Sequence, residues 1–293
     1  VLVLTACSKG HVATPITPGP GSTATQAQLV SLLQGARSKA TAEKTAHFTQ
    51  TVVVTPASGA AQTISINGAM DVPNHRTGMS FNMAGMGPAE AVIDGTIIYE
   101  KNPKISPMLG DKPWFKVDPA SLKNISGSPF ASILTGLDSV LKQAQSQDPT
   151  SGLSLLAGVS GTVTTVGPAT VRGVATTHYT FEVDSARALA KLPADAQAAI
   201  KAFTAQLGIT TLPMEAWIDG EGRIRKIHVT VDTSKSVATP SPLLSGLPAP
   251  ALPRSTELAM ELFDYGTPVS ITVPAADQVT DLGAMLSQMG GSA

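Results

Sequence analysis

The chain has 293 residues, 42% of them apolar and only 14% charged, enough to bury a sizeable core in one large domain or two small ones. A formal net charge of −1 provides no field to gather nucleic acid or anionic lipid. The single cysteine excludes an internal disulfide, and no apolar run reaches the roughly 18 residues of a membrane-spanning helix.

Val1-Leu2-Val3-Leu4-Thr5-Ala6-Cys7 resembles the end of a signal peptide. Within it Leu4-Thr5-Ala6-Cys7 matches a lipobox, in which an apolar residue and two small ones precede the cysteine. The expected chemistry is transfer of a diacylglyceryl group to the Cys7 thiol and cleavage before it. Residues 1–6 are then residual signal peptide, and residues 7–25 the lipidated cysteine and a flexible tether rich in Pro, Gly, Ser and Thr. Two acyl chains, at about 0.8 kcal/mol per buried CH₂, suffice for stable attachment. A single domain is expected over residues 26–290.

Gln26 to Lys44 reads as an amphipathic helix, with Leu29, Leu32, Leu33, Ala36 and Ala40 at helical spacing. Strands follow at His47–Thr55, Gln62–Val72 and Arg76–Met83, each alternating in polarity. Residues Ala89–Ile93 and Thr96–Lys101 form a hairpin around Asp94-Gly95, and Pro113–Val117 is a short strand. Phe130–Gln147 has helical periodicity. Strands resume at Gly161–Val166 and Thr170–Val183, followed by a short helix from Asp184 to Leu189 with Asp184 as its cap and a longer one over Ala194–Leu207. Leu212–Asp219 and Arg223–Asp232 flank the turn Asp219-Gly220-Glu221-Gly222, and Ser255–Tyr265 closes the pattern. Between the last two strands lies a Pro-rich loop, Ser236–Pro253. Thr280–Met289 reads as a C-terminal helix. The sum is α+β: a large curved antiparallel sheet of about ten strands, an unclosed half-barrel capped by helices.

Four stretches carry a family resemblance: the lipobox at Cys7, Arg172-Gly-Val-Ala-Thr-Thr-His-Tyr179, Leu212-Pro-Met-Glu-Ala-Trp-Ile-Asp-Gly-Glu-Gly-Arg-Ile-Arg-Lys226, and Asp264-Tyr-Gly-Thr-Pro-Val-Ser-Ile-Thr-Val-Pro274. In them the chain resembles the LppX/LprG-type lipoproteins of mycobacteria and other actinobacteria over roughly residues 28 to 282. That family is similar in fold to the LolA/LolB carriers. The resemblance implies an apolar cavity for the acyl chains of a lipid or glycolipid. It implies no catalytic motif, so Cys7 alone carries over as a defined functional residue. The Pro-rich loop is a departure from the family pattern.

The residues themselves point the same way. Phe48, Val52, Met79, Phe81, Met83, Tyr179, Phe181, Ile227, Val229, Leu258, Met260 and Leu262 occupy alternate strand positions, a surface that must be covered. Either helices seal it or part of it lines a ligand cavity; flexible methionines suit varied acyl chains. The five histidines, His11, His47, His75, His178 and His228, have no metal-ligand spacing. His178 and His228 lie on polar strand faces and could be neighbours, but all five read as solvated surface histidines. Ser139-Val-Leu-Lys142 matches the Ser-x-x-Lys motif of penicillin-interacting enzymes, but its companion motifs are missing and Val140 and Leu141 continue a helix stripe. Asp219 and Glu221 read as turn formers.

The expectation is therefore a non-enzymatic lipoprotein on the extracytoplasmic face of the cell membrane, held by its N-terminal acyl anchor. It binds or carries a lipid or glycolipid for envelope biogenesis, with no cofactor, no metal and no nucleic acid. The alternative is a sensor or protein-interaction module on the same fold.

Overall fold

The computed structural model describes residues 25–83, 87–108, 112–118, 156, 159–190, 210–234 and 253–285. Cys7 and its tether, the expected helices at 130–147 and 194–207, the Ser139/Lys142 pair and loop residues 236–252 lie outside that set. Among the described residues no helix is long and apolar enough to cross a membrane.

Helix α1 spans Gln26–Ala42. It begins in a capping box: Thr25 Oγ1 accepts from the Gln28 amide at 3.4 Å, and Gln28 Oε1 accepts from the Thr25 amide at 2.8 Å. Its apolar stripe, Leu29, Leu33, Ala36 and Ala40, is buried. Twelve strands follow: β1 Thr45–Thr55, β2 Gln62–Asp71, β3 Arg76–Met83, β4 Gly87–Asp94, β5 Ile97–Lys101, β6 Trp114–Val117, β7 Val159–Val171, β8 Val174–Asp184, β9 Thr211–Asp219, β10 Ile224–Asp232, β11 Ser255–Phe263 and β12 Val279–Asp281. They form one sheet in the order β12-β6-β5-β4-β3-β2-β1-β11-β10-β9-β8-β7. It does not close on itself: β12 and β7 are its two edges. Every pairing is antiparallel except β12 with β6. The α+β class and the unclosed antiparallel sheet are as the sequence predicts.

Three details differ from the sequence expectation. The segment Thr170–Val183 is not one strand: Arg172-Gly173 turns the chain between β7 and β8, with φ of +47° and +79°, the left-handed pair that a tight hairpin requires. Arg172 tolerates that conformation because its side chain is held at the far end, as described below. The β4–β5 loop is Gly95-Thr96, one residue later than expected, because Asp94 pairs with Ile97. The expected C-terminal helix starts too early, since Thr280 and Asp281 belong to β12. Backbone pairing with β6 and an ion pair between Lys116 Nζ and Asp281 at 2.9 Å outweigh the local pattern. The short helix after β8 is as read: α2 spans Ser185–Leu189, and Asp184 Oδ1 accepts from the Arg187 amide at 2.9 Å.

The sheet's two faces are unlike. Helix α1 lies on one of them, over β7–β11. Its start is pinned to the edge strand, where the Gln26 amide group exchanges two hydrogen bonds with the backbone of Val163, at 2.7 and 3.0 Å. Its last turn reaches the β9–β10 turn, where Lys39 Nζ donates to the Glu221 carbonyl. Leu29, Leu33, Ala36 and Ala40 join Val159, Val163, Tyr179, Phe181, Val183, Met214, Ala216, Ile227 and Leu262 in the main core. The segment after β11 crosses the opposite face. Gly266 N donates to Thr45 O at 2.9 Å, Ile271 packs over Gly78, and the chain then adds β12 beyond β6.

Candidate ligand-binding face

Strand register fixes which side chains share a face. One row runs Leu262–Phe48–Gly68–Met79–Ala91–Glu100–Phe115, from β11 through β1 to β6. The next runs Gln50–Met260–Ile227–Ala216–Tyr179, and a third Val52–Leu258–Val229–Met214–Phe181. Phe81 and Met83 continue β3 at the same parity. All twelve residues singled out from the alternation therefore lie at positions of one face, the face that carries α1.

Their burial divides them. Phe48, Tyr179, Phe181, Ile227, Val229, Met260 and Leu262 are buried in the core. Val52, Met79, Phe81 and Leu258 are only half-buried, as are Ile64, Ile66, Ile93 and Ile98 on the neighbouring strands. Met83 is placed by register alone, opposite Gly87. Leucines and alanines of α1 seal the β7–β11 half. Over the β1–β5 half no described helix lies; Ala46, Phe48, Met70, Ala89 and Ala91 are nevertheless buried there, while Val52, Ile64, Ile66, Met79, Phe81, Ile93 and Ile98 keep part of their surface.

Two polar residues on or beside this side of the sheet are poorly compensated among the described residues. Glu100, on β5, stands between Ala91 and Phe115 in the first row. Burial pushes its carboxyl above the usual carboxylate range, and no opposing charge offsets this. Asn102 follows two residues later and is fully buried. Its backbone N–H donates to Ser106 Oγ at 3.1 Å and its Oδ1 accepts from the Lys104 amide at 3.0 Å, yet its Nδ2 meets no acceptor among the described residues. Sequence reasoning missed both. Glu100 sits between Tyr99 and Lys101 and reads as a solvent-facing charge; its parity with Ile98 was the one available signal.

The opposite face is polar. His178 Nε2 lies 2.7 Å from one Glu215 oxygen and His228 Nδ1 3.1 Å from the other, so the two histidines, read from the sequence as solvated surface residues, share one carboxylate. Burial raises the Glu215 pKa, but the hydrogen bonds with His228 and His178 outweigh it and hold the group below the usual range. His178 also stacks on Trp217 with ring centroids 4.2 Å apart. Arg172, from the β7–β8 turn, bonds Glu261 at 2.8 Å and Thr49 at 2.9 Å and lies 3.9 Å from the Phe263 ring centre. No set of three His, Cys, Asp or Glu among the described residues is placed to hold a metal ion.

Asp219 is the turn former expected of it. Its Oδ1 accepts from the amides of Glu221 at 3.0 Å and Arg223 at 2.9 Å, and its Oδ2 from Arg223 at 3.1 Å and Arg225 at 2.7 Å. A bulge between Ile224 and Lys226 frees Arg225 from the strand alternation and lets it reach back. Burial raises the Asp219 pKa, but these donors dominate and lower it.

Two grooves are present away from α1. One of about 720 Å³ is bordered by Thr162, Thr164, Thr180, Glu182, Glu215 and Thr230, with Phe181 at its edge. The other, about 310 Å³, lies beside Arg172 and Arg225 and touches Leu262. Neither coincides with the half-buried apolar residues of β1–β5.

No family model matches the chain. An uncharacterised 31.2 kDa protein of Streptomyces griseus, from the rplA–rplJ intergenic region, is 29% identical over 186 residues, which is 62% of this chain and 52% of that protein. The chain thus spans about half the length of this relative. Among solved structures, the chain is similar to the lipoprotein LppX of Mycobacterium tuberculosis, with a TM-score of 0.48 and 14% identity over 85% of this chain and 100% of that one. It is similar to LprF of Mycobacterium bovis, with a TM-score of 0.44 and 14% identity over 85% and 98%. A LolA superfamily protein of Nitrosomonas europaea matches at 0.28, 8% identical over 82% and 93%.

Proposed function

We propose that this chain is a lipoprotein, attached through acylated Cys7 to the extracytoplasmic face of the membrane, that binds or carries a lipid or glycolipid on the apolar face of its sheet. One observation carries the reading. Among the described residues helix α1 covers only the β7–β11 half of that face, while Val52, Ile64, Ile66, Met79, Phe81, Ile93 and Ile98 are half-buried apolar residues on the other half, beside Leu258 of β11. An acyl chain laid there removes apolar surface from water on both partners, at about 25 cal/mol per Å². Such a site is shape-tolerant and involves no covalent step, so the reading takes the protein to be a carrier or a presenter rather than an enzyme.

The test uses the full chain with Cys7→Ser, which blocks acylation. After purification from a host that makes membrane lipid, organic extraction and mass spectrometry should recover a lipid in near-stoichiometric amount. A protein that yields no lipid, and that leaves a fluorescent hydrocarbon in water, would refute the reading. For the anchor, metabolic labelling of the wild-type chain with a radiolabelled fatty acid should mark it, and Cys7→Ser should remove the label.

A further inference from the structure

Glu100 is out of place on the apolar face. Among the register-paired positions of that face it is the only one occupied by a charged residue type; the rest are apolar residues, glycine, threonine or glutamine. Its cross-strand neighbours are Ala91 and Phe115, and Ile98 precedes it by one pleat. Several other carboxylates of the sheet have cations: Glu90 has Lys101, Asp281 has Lys116, and Glu261 has Arg172. Glu100 has none among the described residues. A partly buried carboxyl without a partner costs stability, and such groups mark sites that something else completes.

Asn102 supplies a second, independent observation. It follows Glu100 by two residues and comes directly after the last residue of β5, where the chain enters a turn. It is held rigidly by its bonds to Ser106 and Lys104. Its Nδ2 is buried and meets no acceptor among the described residues, a cost of the same kind. Together the two residues offer a carboxyl, able to accept a hydrogen bond and to donate one when protonated, and an amide donor, at the border of the half-buried apolar surface.

We propose that Glu100 and Asn102 anchor the head group of an uncharged amphiphile whose chain lies along the β1–β5 surface. This rests on the lipid-binding reading above and names the ligand class for it. The head group carries a hydroxyl, which donates to Glu100, and a carbonyl or ether oxygen, which accepts from Asn102 Nδ2. A monoacylglycerol has both. A fatty acid of the same chain length presents a carboxylate to Glu100, and like charges in a poorly solvated place repel.

The experiment measures binding of three probes at pH 7 to the Cys7→Ser chain and to its Glu100→Leu and Glu100→Gln variants: a pyrene-labelled hydrocarbon, a monoacylglycerol and the matching fatty acid. Thermal melts report whether each variant folds. The parent protein should bind the hydrocarbon, and should prefer the monoacylglycerol to the fatty acid by about tenfold or more, the worth of one well-placed hydrogen bond. Glu100→Leu should keep the hydrocarbon and bring that preference close to unity. Glu100→Gln should keep the monoacylglycerol and gain the fatty acid. Hydrocarbon binding with a preference that neither variant alters would overturn the anchor and leave lipid binding intact. A parent protein that binds none of the three would overturn the lipid reading and the anchor with it.

Discussion

The ring of Phe48 lies against the backbone of Gly68, its cross-strand partner: a Cβ placed on Gly68 would stand 2.4 Å from Phe48 Cζ and 2.6 Å from the Gly78 carbonyl oxygen. Phe48 is 2% exposed and belongs to the core that joins the sheet to α1. The absent side chain is what lets the ring lie against the β2 backbone. Gly68→Ala should therefore destabilise the fold by about 1–3 kcal/mol through overpacking, read as a lower urea midpoint with an unchanged slope.

Leu33, fully buried under α1, tests the seal. Leu33→Ala should cost about 2–5 kcal/mol, seen in chemical denaturation.

Phe81 lies on the same face, half-buried and beyond the helix. Phe81→Ser should leave the melting temperature within a few degrees of the parent. It should weaken binding of the pyrene-labelled hydrocarbon by about tenfold or more, since a Phe side chain is worth roughly 1.5–3 kcal/mol when fully covered. Equilibrium fluorescence titration separates this outcome from simple unfolding.

Asp219, whose side chain is 3% exposed, holds Arg225 and Arg223 together at the β9–β10 turn. Asp219→Asn keeps the acceptor for the two turn amides and removes the charge, which leaves Arg225 buried without its carboxylate. The expected loss is about 3–5 kcal/mol at pH 7. Because the folded state lowers the Asp219 pKa, its contribution is present above the ordinary value of 3.8 and fades as pH falls through the lowered one. Denaturation of parent and variant should accordingly converge in strong acid.

Glu100 has the opposite sign. Its pKa is raised in the folded state, so the neutral acid is the form the fold prefers. Its favourable contribution is present below the ordinary value of 4.5 and is lost as pH rises through the raised one. Glu100→Gln should be more stable than the parent at pH 7, with the gap closing as the buffer is taken toward pH 4. A series of thermal melts checks this directly, and a gap that widened in acid would contradict it.

The alternation of residues such as Phe48 and Val52, or Leu258 and Leu262, is enough to place them on one side of a strand, because side chains in a strand alternate with a period of two. The helix stripe of α1 and the Asp219 turn are legible for the same local reason: capping, periodicity and turn chemistry act over a few residues. Arg172-Gly173 escaped because the left-handed conformation falls on an arginine, whose long-range bonds to Glu261 and Thr49 compensate. Thr280 and Asp281 escaped because their partner strand is more than 160 residues away. No local pattern states which half of an apolar face a helix will cover, or that Glu100 will stand in line with Met79 and Phe48. Those facts depend on register between strands, which is set by the whole sheet at once. The sequence by itself determined the class of the fold and the oily side of its strands. The tertiary structure alone decided, among the described residues, which half of that side α1 covers and which polar groups stand in line with the other half.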